Sequence, residues 1–172
     1  VEFLIHQGDY RSIQEWIKNG TVDFGFINPR AAKDIQTEKI KTGKMAAVIP
    51  KEHPLAKEKV ISLKQLAGEP FILLEEGNYS EPLEAFRSVG LWPDIKFTIH
   101  DDYSIMAMVE SGLGVSILAE LVLQKMNYNI AVSPTDPPVY RTLSVGYKDK
   151  TMLPVAAGKF IECLKQHMDQ LA

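Results

Sequence analysis

Residues 45–50, MAAVIP, are apolar at nearly every position. A strand with one face in water needs only alternate residues to be apolar. An unbroken run therefore argues for a strand covered on both faces. Residues 71–75, FILLE, read the same way. A sheet covered on both sides requires helices, and the rest of the chain supplies them.

Residues 1–5 alternate apolar and polar, as a strand does. HQGD follows as a turn, and Asp9 is placed to cap a helix whose Ile13, Trp16 and Ile17 share one face, with Gly20 as its stop. TVDFGFI (21–27) is expected as a strand and NPR (28–30) as a loop, followed by a polar alternating stretch over 35–44. A short helix is expected around 62–66, broken by Gly68 and Pro70. After the polar turn EGNYS, Ser80 or a neighbour caps a helix running to Val89 and closed by Gly90. Residues 95–100 alternate again. Asp102 or Ser104 starts a further helix, which Gly112 stops, and GVSILAE runs from a strand into a helix near 119–126. IAVSP and TLSVGYK read as two strands. Pro154 starts the last helix, whose apolar face is Ala157, Phe160, Ile161, Leu164, Met168 and Leu171. Strands alternating with helices give an α/β fold with largely parallel sheets, and ligands bind such sheets at the carboxyl ends of their strands.

Charge and motifs narrow the chemistry. The net charge of −3 lacks the positive excess of a nucleic-acid binder, and no apolar run approaches the ~20 residues that cross a bilayer. No dinucleotide or P-loop glycine motif is present. His6, His53, His100 and His167 show no metal-ligand spacing, and the lone Cys163 sits close to the apolar face of the last helix as a structural thiol. It also fits a reducing cytosol. GVSIL lacks the second glycine of a nucleophile elbow. Glu75-Glu76 reads as a solvated turn and Asp101-Asp102 as a helix cap. No catalytic residue, metal or cofactor is therefore assigned. What remains is a set of polar turns at strand ends, HQGDY, NPR, EGNYS and DDYS. Three open onto helix starts, whose backbone N–H groups attract anions.

Two segments repeat a plan. Residues 1–20 and 95–112 each carry a strand-like run with Phe at its third position, then His, an Asp-Tyr pair (Asp9-Tyr10 and Asp102-Tyr103), a helix and a closing Gly. Two lobes of like construction need a crossing, and IPKEHPLA (49–56) lies between the repeats. Pro54 keeps His53 extended and Pro50 stiffens the approach, so the segment reads as a hinge rather than as chemistry.

Several pieces also resemble a known family. MAAVIPKEHPLAKEKVISLKQLAGEPFILLE resembles the effector-binding domain of LysR-type transcriptional regulators, with its apolar strand, proline and His-Pro-Leu. GTVDFGFI, SVGLWPDIKF and MVESGLGVSILAE are similar to further family motifs, in the family order, across nearly the whole chain. The resemblance implies a type II periplasmic-binding-protein-like fold, with two α/β subdomains joined by two crossover strands. Subdomain I is expected over 1–50 and 134–172 and subdomain II over 51–133. The family's first strand and helix, and its DNA-binding helix-turn-helix, are expected upstream of Val1.

The same resemblance implies that the chain senses a small metabolite, polar or carboxylate, in an inter-lobe cleft and is not an enzyme. Carried over by position, the ligand contacts are Gly8, Asp9, Tyr10 and Asn28 in the first lobe and Gly77, Asn78, Tyr79, Ser80 and Asp102 in the second. The hinge is expected at Pro50, His53, Pro54, Val132 and Pro134. Leu4, Ile13, Trp16, Ile17 and Met108 are expected in a homodimer interface, with a tetramer as the further state of the full-length protein. DNA would be met only through the upstream domain, no membrane is involved, and the location is cytoplasmic. The alternatives are a solute-binding protein of a transport system and an enzyme on the same scaffold.

Overall fold

The computed structural model describes residues 2–125 and 127–168. Its elements are α1 (Tyr10–Asn19), β1 (Gly25–Ile27), β2 (Gln36–Pro50), β3 (Ile61–Ser62), α2 (Leu63–Ala67), β4 (Pro70–Leu74), α3 (Glu81–Ser88), β5 (Asp94–Ile99), α4 (Asp102–Glu110), β6 (Ser116–Ala119), α5 (Glu120–Leu123), β7 (Ile130–Tyr147) and α6 (Val155–Gln166). Short 3-10 turns lie at Pro54–Lys57 and Lys150–Met152. The chain divides into two units. The first comprises residues 1–42, 76–79 and 142–172, and the second comprises 43–75 and 80–141.

The architecture is mixed α/β, but its sheets are mixed rather than largely parallel. β4 and β5 pair in parallel, as do β3 and β7, whereas β1 with β7 and β2 with β6 are antiparallel. The cause is two long strands. The polar stretch 35–44 and the apolar run 45–50 form the single strand β2, and IAVSP and TLSVGYK are both parts of β7. Two of the four unit boundaries fall inside these strands, at 42/43 and 141/142, against the expected 50/51 and 133/134, and the other two flank the turn Glu76–Tyr79. A continuous strand keeps its backbone groups hydrogen-bonded through a crossing, which an irregular loop would not.

The residues expected at the hinge, Pro50, His53, Pro54, Val132 and Pro134, accordingly lie within the second unit. IPKEHPLA there turns the chain out of β2. His53 is the N-cap of the 3-10 turn, its Nδ1 accepting from the Leu55 N–H at 3.3 Å, and Pro54 takes the first turn position, which needs no N–H. The other ring nitrogen, Nε2, is 3.3 Å from a Glu69 carboxylate oxygen.

In the second unit the pleat decides the core. Met45, Ala47 and Ile49 join Phe71, Leu73, Val115 and Ile117 on one face, with Phe86 of α3 and Leu63 and Leu66 of α2. Ala46, Val48, Ile72 and Leu118 join Ile105, Met106 and Val109 of α4 on the other. Successive residues of a strand point to opposite faces, so an unbroken apolar run is what two covered faces demand. Phe71 and Phe86 meet edge to face, with ring centroids 5.5 Å apart. Gly112 (φ 76°) ends α4. A Cβ on Gly114 would come within 2.4 Å of the Pro70 carbonyl oxygen, so GLGVS is a helix stop and a close backbone approach. The helix expected near 119–126 is the single turn α5, and Met126 lies outside the described residues.

In the first unit, α1 begins and ends where expected, with Gly20 in the left-handed conformation (φ 78°). Its buried face is Tyr10, Gln14 and Ile17, with Ile13 and Trp16 only half-buried. Gln14 is held inside because its side-chain oxygen accepts the Lys33 N–H. Only Gly25–Ile27 of the expected strand 21–27 is extended into the ladder, against Ser144–Gly146 of β7. Of the strand expected over 1–5, none forms among the described residues. Residues 2–9 carry no regular structure, Leu4 and Ile5 are 83% and 87% exposed, and Val1 lies outside the described residues. Alternation prepares a strand, but a paired neighbour makes one, and none of the described strands pairs with this segment.

On α6, Ala157 and Ile161 are buried, while Phe160, Leu164 and, just past the helix end, Met168 pack against the cluster of Ile40, Val145 and Tyr147. Leu171 lies outside the described residues. Cys163 is exposed rather than lodged at the apolar face, because its position turns it away from that stripe. The Glu38 carboxylate accepts from the Tyr147 hydroxyl and pairs with Lys150 (2.9 Å) and Lys165, tying α6 to β2. Burial pushes the Tyr147 phenol up.

Candidate functional site

The first unit gathers many of the expected ligand residues around the start of α1. Asp9 is the N-cap, its Oδ1 accepting from the Ser12 N–H at 2.7 Å. The Tyr10 N–H donates to the Glu76 carbonyl at 3.1 Å, which seats the turn Glu76–Tyr79 on the helix end. Gly77 is required there. Its φ is +84°, and a Cβ would sit 3.0 Å from the Arg11 nitrogen and 3.3 Å from Asp9 Cγ.

The next two residues of that turn reach the loop after β1. Asn78 Nδ2 donates to the Ala31 carbonyl at 3.2 Å. The Tyr79 ring packs with Tyr10, Ile27 and Ala31, and Arg30 Nη1 lies 3.5 Å from its hydroxyl. Asn28 is 3% exposed and shapes the NPR loop, its Oδ1 accepting from the Arg30 N–H and its carbonyl from the Ala31 N–H, both at 2.9 Å. Asp9, Tyr10, Asn28, Gly77, Asn78 and Tyr79 thus form one polar-rimmed cluster. Gly8 stands beside it in a packing role, since a Cβ there would meet the Trp16 indole at 2.6 Å.

The second unit carries Ser80 and Asp102 at the starts of α3 and α4, just beyond the carboxyl ends of the parallel strands β4 and β5. Ser80 Oγ accepts from the Leu83 N–H at 3.4 Å. In α4 the cap is Asp101, which accepts from the Ser104 N–H at 2.7 Å, and not Asp102 or Ser104. The repeat therefore aligns Asp9 with Asp101, one residue away from the expected Asp102. The cap hydrogen bonds from the Ser104 side chain and backbone hold the Asp101 carboxyl below its usual range. Asp102 is pushed the other way, by burial and then by the neighbouring Asp101 charge, and its Oδ1 is buried with no hydrogen-bond partner.

Among the residues expected in a dimer interface, Leu4 is exposed, Ile13, Trp16 and Met108 are half-buried, and Ile17 is 1% exposed. Ile17 lies on the buried face of α1, against Gly25 and Gly146 of the sheet, so it offers no surface to a partner. Sequence reasoning missed Glu81 and Arg141. Glu81, the first residue of α3, is 3% exposed and pairs with Arg141 Nε on β7 at 3.6 Å. An acid in a first helical turn reads as an ordinary exposed charge, and nothing in the pattern marks it as buried. Among the described residues no group of three or more His, Cys, Asp and Glu could hold a metal ion, and no helix is long and apolar enough to cross a membrane.

Comparison with known proteins gives this arrangement its context. The family model described as LysR substrate binding domain matches residues 1–169. The HTH-type transcriptional regulator YvbU of Bacillus subtilis (strain 168) is 29% identical over 168 residues, covering 96% of this chain and 57% of that protein. The chain spans little more than half the length of the curated relatives it matches first. Among the solved structures that share the fold are two ligand-bound domains. The regulatory domain of Synechocystis PCC6803 CcmR in complex with 2-PG has a TM-score of 0.80 at 19% identity, covering 95% of this chain and 81% of that one. The effector binding domain of QuiR in complex with shikimate has a TM-score of 0.80 at 22% identity, covering 95% and 80%. The fold is the type II periplasmic-binding-protein-like fold of these regulatory domains. With a match over nearly its entire length, the chain belongs to the LysR substrate binding domain family.

Proposed function

We propose that this chain is the effector-sensing and dimerisation part of a LysR-type transcriptional regulator, and that its effector is a small polar or carboxylate metabolite. The observation that carries the reading is the cluster at the start of α1, where Asp9, Asn28, Asn78 and Tyr79 converge with Arg30 nearby. Tyr10 and Gly77 set its floor and Gly8 its flank. Ser80 and Asp102 are the contacts proposed from the second unit. Arg30 supplies the positive charge for an anionic group, and the caps orient the turns around it. The effector-bound relatives support a metabolite ligand.

A cytoplasmic location, DNA contact through another segment of the full-length protein, and a homodimer using Leu4, Ile13, Trp16 and Met108 complete the proposal. The relatives are transcriptional regulators, so the assigned role is binding rather than turnover. Native mass spectrometry of the purified chain, with and without a metabolite library, tests it. A retained metabolite that is lost on Arg30→Gln, together with a dimer mass, is the expected result. A strictly monomeric mass with no retained metabolite at any concentration would overturn the proposal.

A further inference from the structure

The chain passes between its two units at 42/43, 75/76, 79/80 and 141/142. Ser80 is the first residue after the third of these crossings, and Arg141 is the last residue before the fourth. Glu81 and Arg141 both belong to the second unit and form an ion pair, with Arg141 Nε 3.6 Å from Glu81 Oε1. Their side chains are 2% and 22% exposed, so the pair is largely out of water.

A buried ion pair contributes little net stability, because desolvation offsets its attraction. Its best-attested use is to hold one arrangement against another. The arrangement held here is the entry to α3. The Ser80 cap is long, at 3.4 Å to the Leu83 N–H, and Pro82 has no N–H to add a further bond. The Glu81 carboxylate also sits at the helix start, where the backbone dipole favours a negative charge. On the other side of the pair, Val139 of β7 is buried in the same core cluster as Phe86 of α3, so strand and helix are packed where the charges meet.

We infer that the Glu81–Arg141 pair is a clasp that couples the start of α3 to β7 at the point where that strand leaves the second unit. Displacement of the start of α3 is passed to residues 139–141 through this contact. Glu81 is thus a positioning residue, and the coupling exists without any effector.

Amide hydrogen exchange on the unliganded chain tests it. Ser80→Ala removes the cap and is expected to speed exchange at residues 139–141 about fivefold, the factor equivalent to a typical cap loss of ~1 kcal/mol. In a Glu81→Gln, Arg141→Met background, which removes both charges of the pair, the same substitution is expected to change those residues less than about twofold. Arg141→Lys keeps the charge and is expected to retain the effect of Ser80→Ala. Should the paired variant be too unstable to measure, Glu81→Asp, one methylene shorter, takes its place with the same expectation. Equal acceleration in both backgrounds, or acceleration confined to α3, would sink the clasp. Because no metabolite is added, neither result bears on effector binding.

Discussion

Replacing Gly77 by alanine probes whether the Glu76–Tyr79 turn is seated on α1. Two separable costs follow from the structure. A left-handed φ of +84° in a residue with a Cβ costs about 1 to 2 kcal/mol. The new Cβ would also lie 3.0 Å from the Arg11 nitrogen and 3.2 Å from its Cβ, so α1 or the turn must give by a few tenths of an ångström, at about 1 kcal/mol more. Gly20 and Gly43 are the controls. Gly20 has a similar φ (+78°) but nothing within 4 Å of an added Cβ, so Gly20→Ala carries the conformational cost alone. Gly43, with open space and no positive φ, is expected to be neutral or stabilised by up to about 1 kcal/mol on substitution by Ala. Urea unfolding followed by Trp16 fluorescence in a Trp92→Phe background reads the first unit for Gly77→Ala and Gly20→Ala, and Trp92 in a Trp16→Phe background reads the second unit for Gly43→Ala. With a slope of about 2 kcal/mol per molar, Gly77→Ala should lower the midpoint by about 0.5 M more than Gly20→Ala does. Equal midpoints would refute the argument, because the excess measures only the contact of the turn with α1.

Asp102→Asn is expected to raise the melting temperature at pH 7 and to lose that advantage in acid. Burial and the Asp101 charge raise the folded-state pKa of Asp102, so the folded state binds the proton more tightly than the unfolded one. Its penalty is therefore absent below the unfolded value of about 3.9 and grows as pH rises through the folded-state value. Melting curves of the two proteins between pH 3 and 7 check the sign, and a constant offset across that range would contradict it. Ser116→Ala removes a buried hydrogen bond from Ser116 Oγ to the Ile72 carbonyl at 2.7 Å, linking β6 to β4. It should cost about 1 to 3 kcal/mol, measured by urea unfolding.

Much of the fold was legible because local chemistry dictates it. Apolar runs that need two covered faces, side-chain caps at Asp9 and Ser80, and stops at Gly20, Gly90 and Gly112 are decided within a few residues. Motif order over most of the chain indicated the family. What sequence misjudged depends on partners distant in the chain. Alternation at residues 2–5 suggested a strand, but pairing decides strands. The prolines of IPKEHPLA suggested a joint, but two of the four unit boundaries fall within β2 and β7, long strands that are hydrogen-bonded neighbours. Within the candidate site, polar turn residues were visible as types. That Asn28 is interior, that Asn78 reaches Ala31 and that Glu81 is buried against Arg141 were not. Burial and pairing are properties of the packed chain. The sequence by itself determined which segments become helices or covered strands and where most helices begin. Only the tertiary structure decided which polar residues meet and which charge is enclosed, because those outcomes depend on contacts between segments that no local pattern encodes.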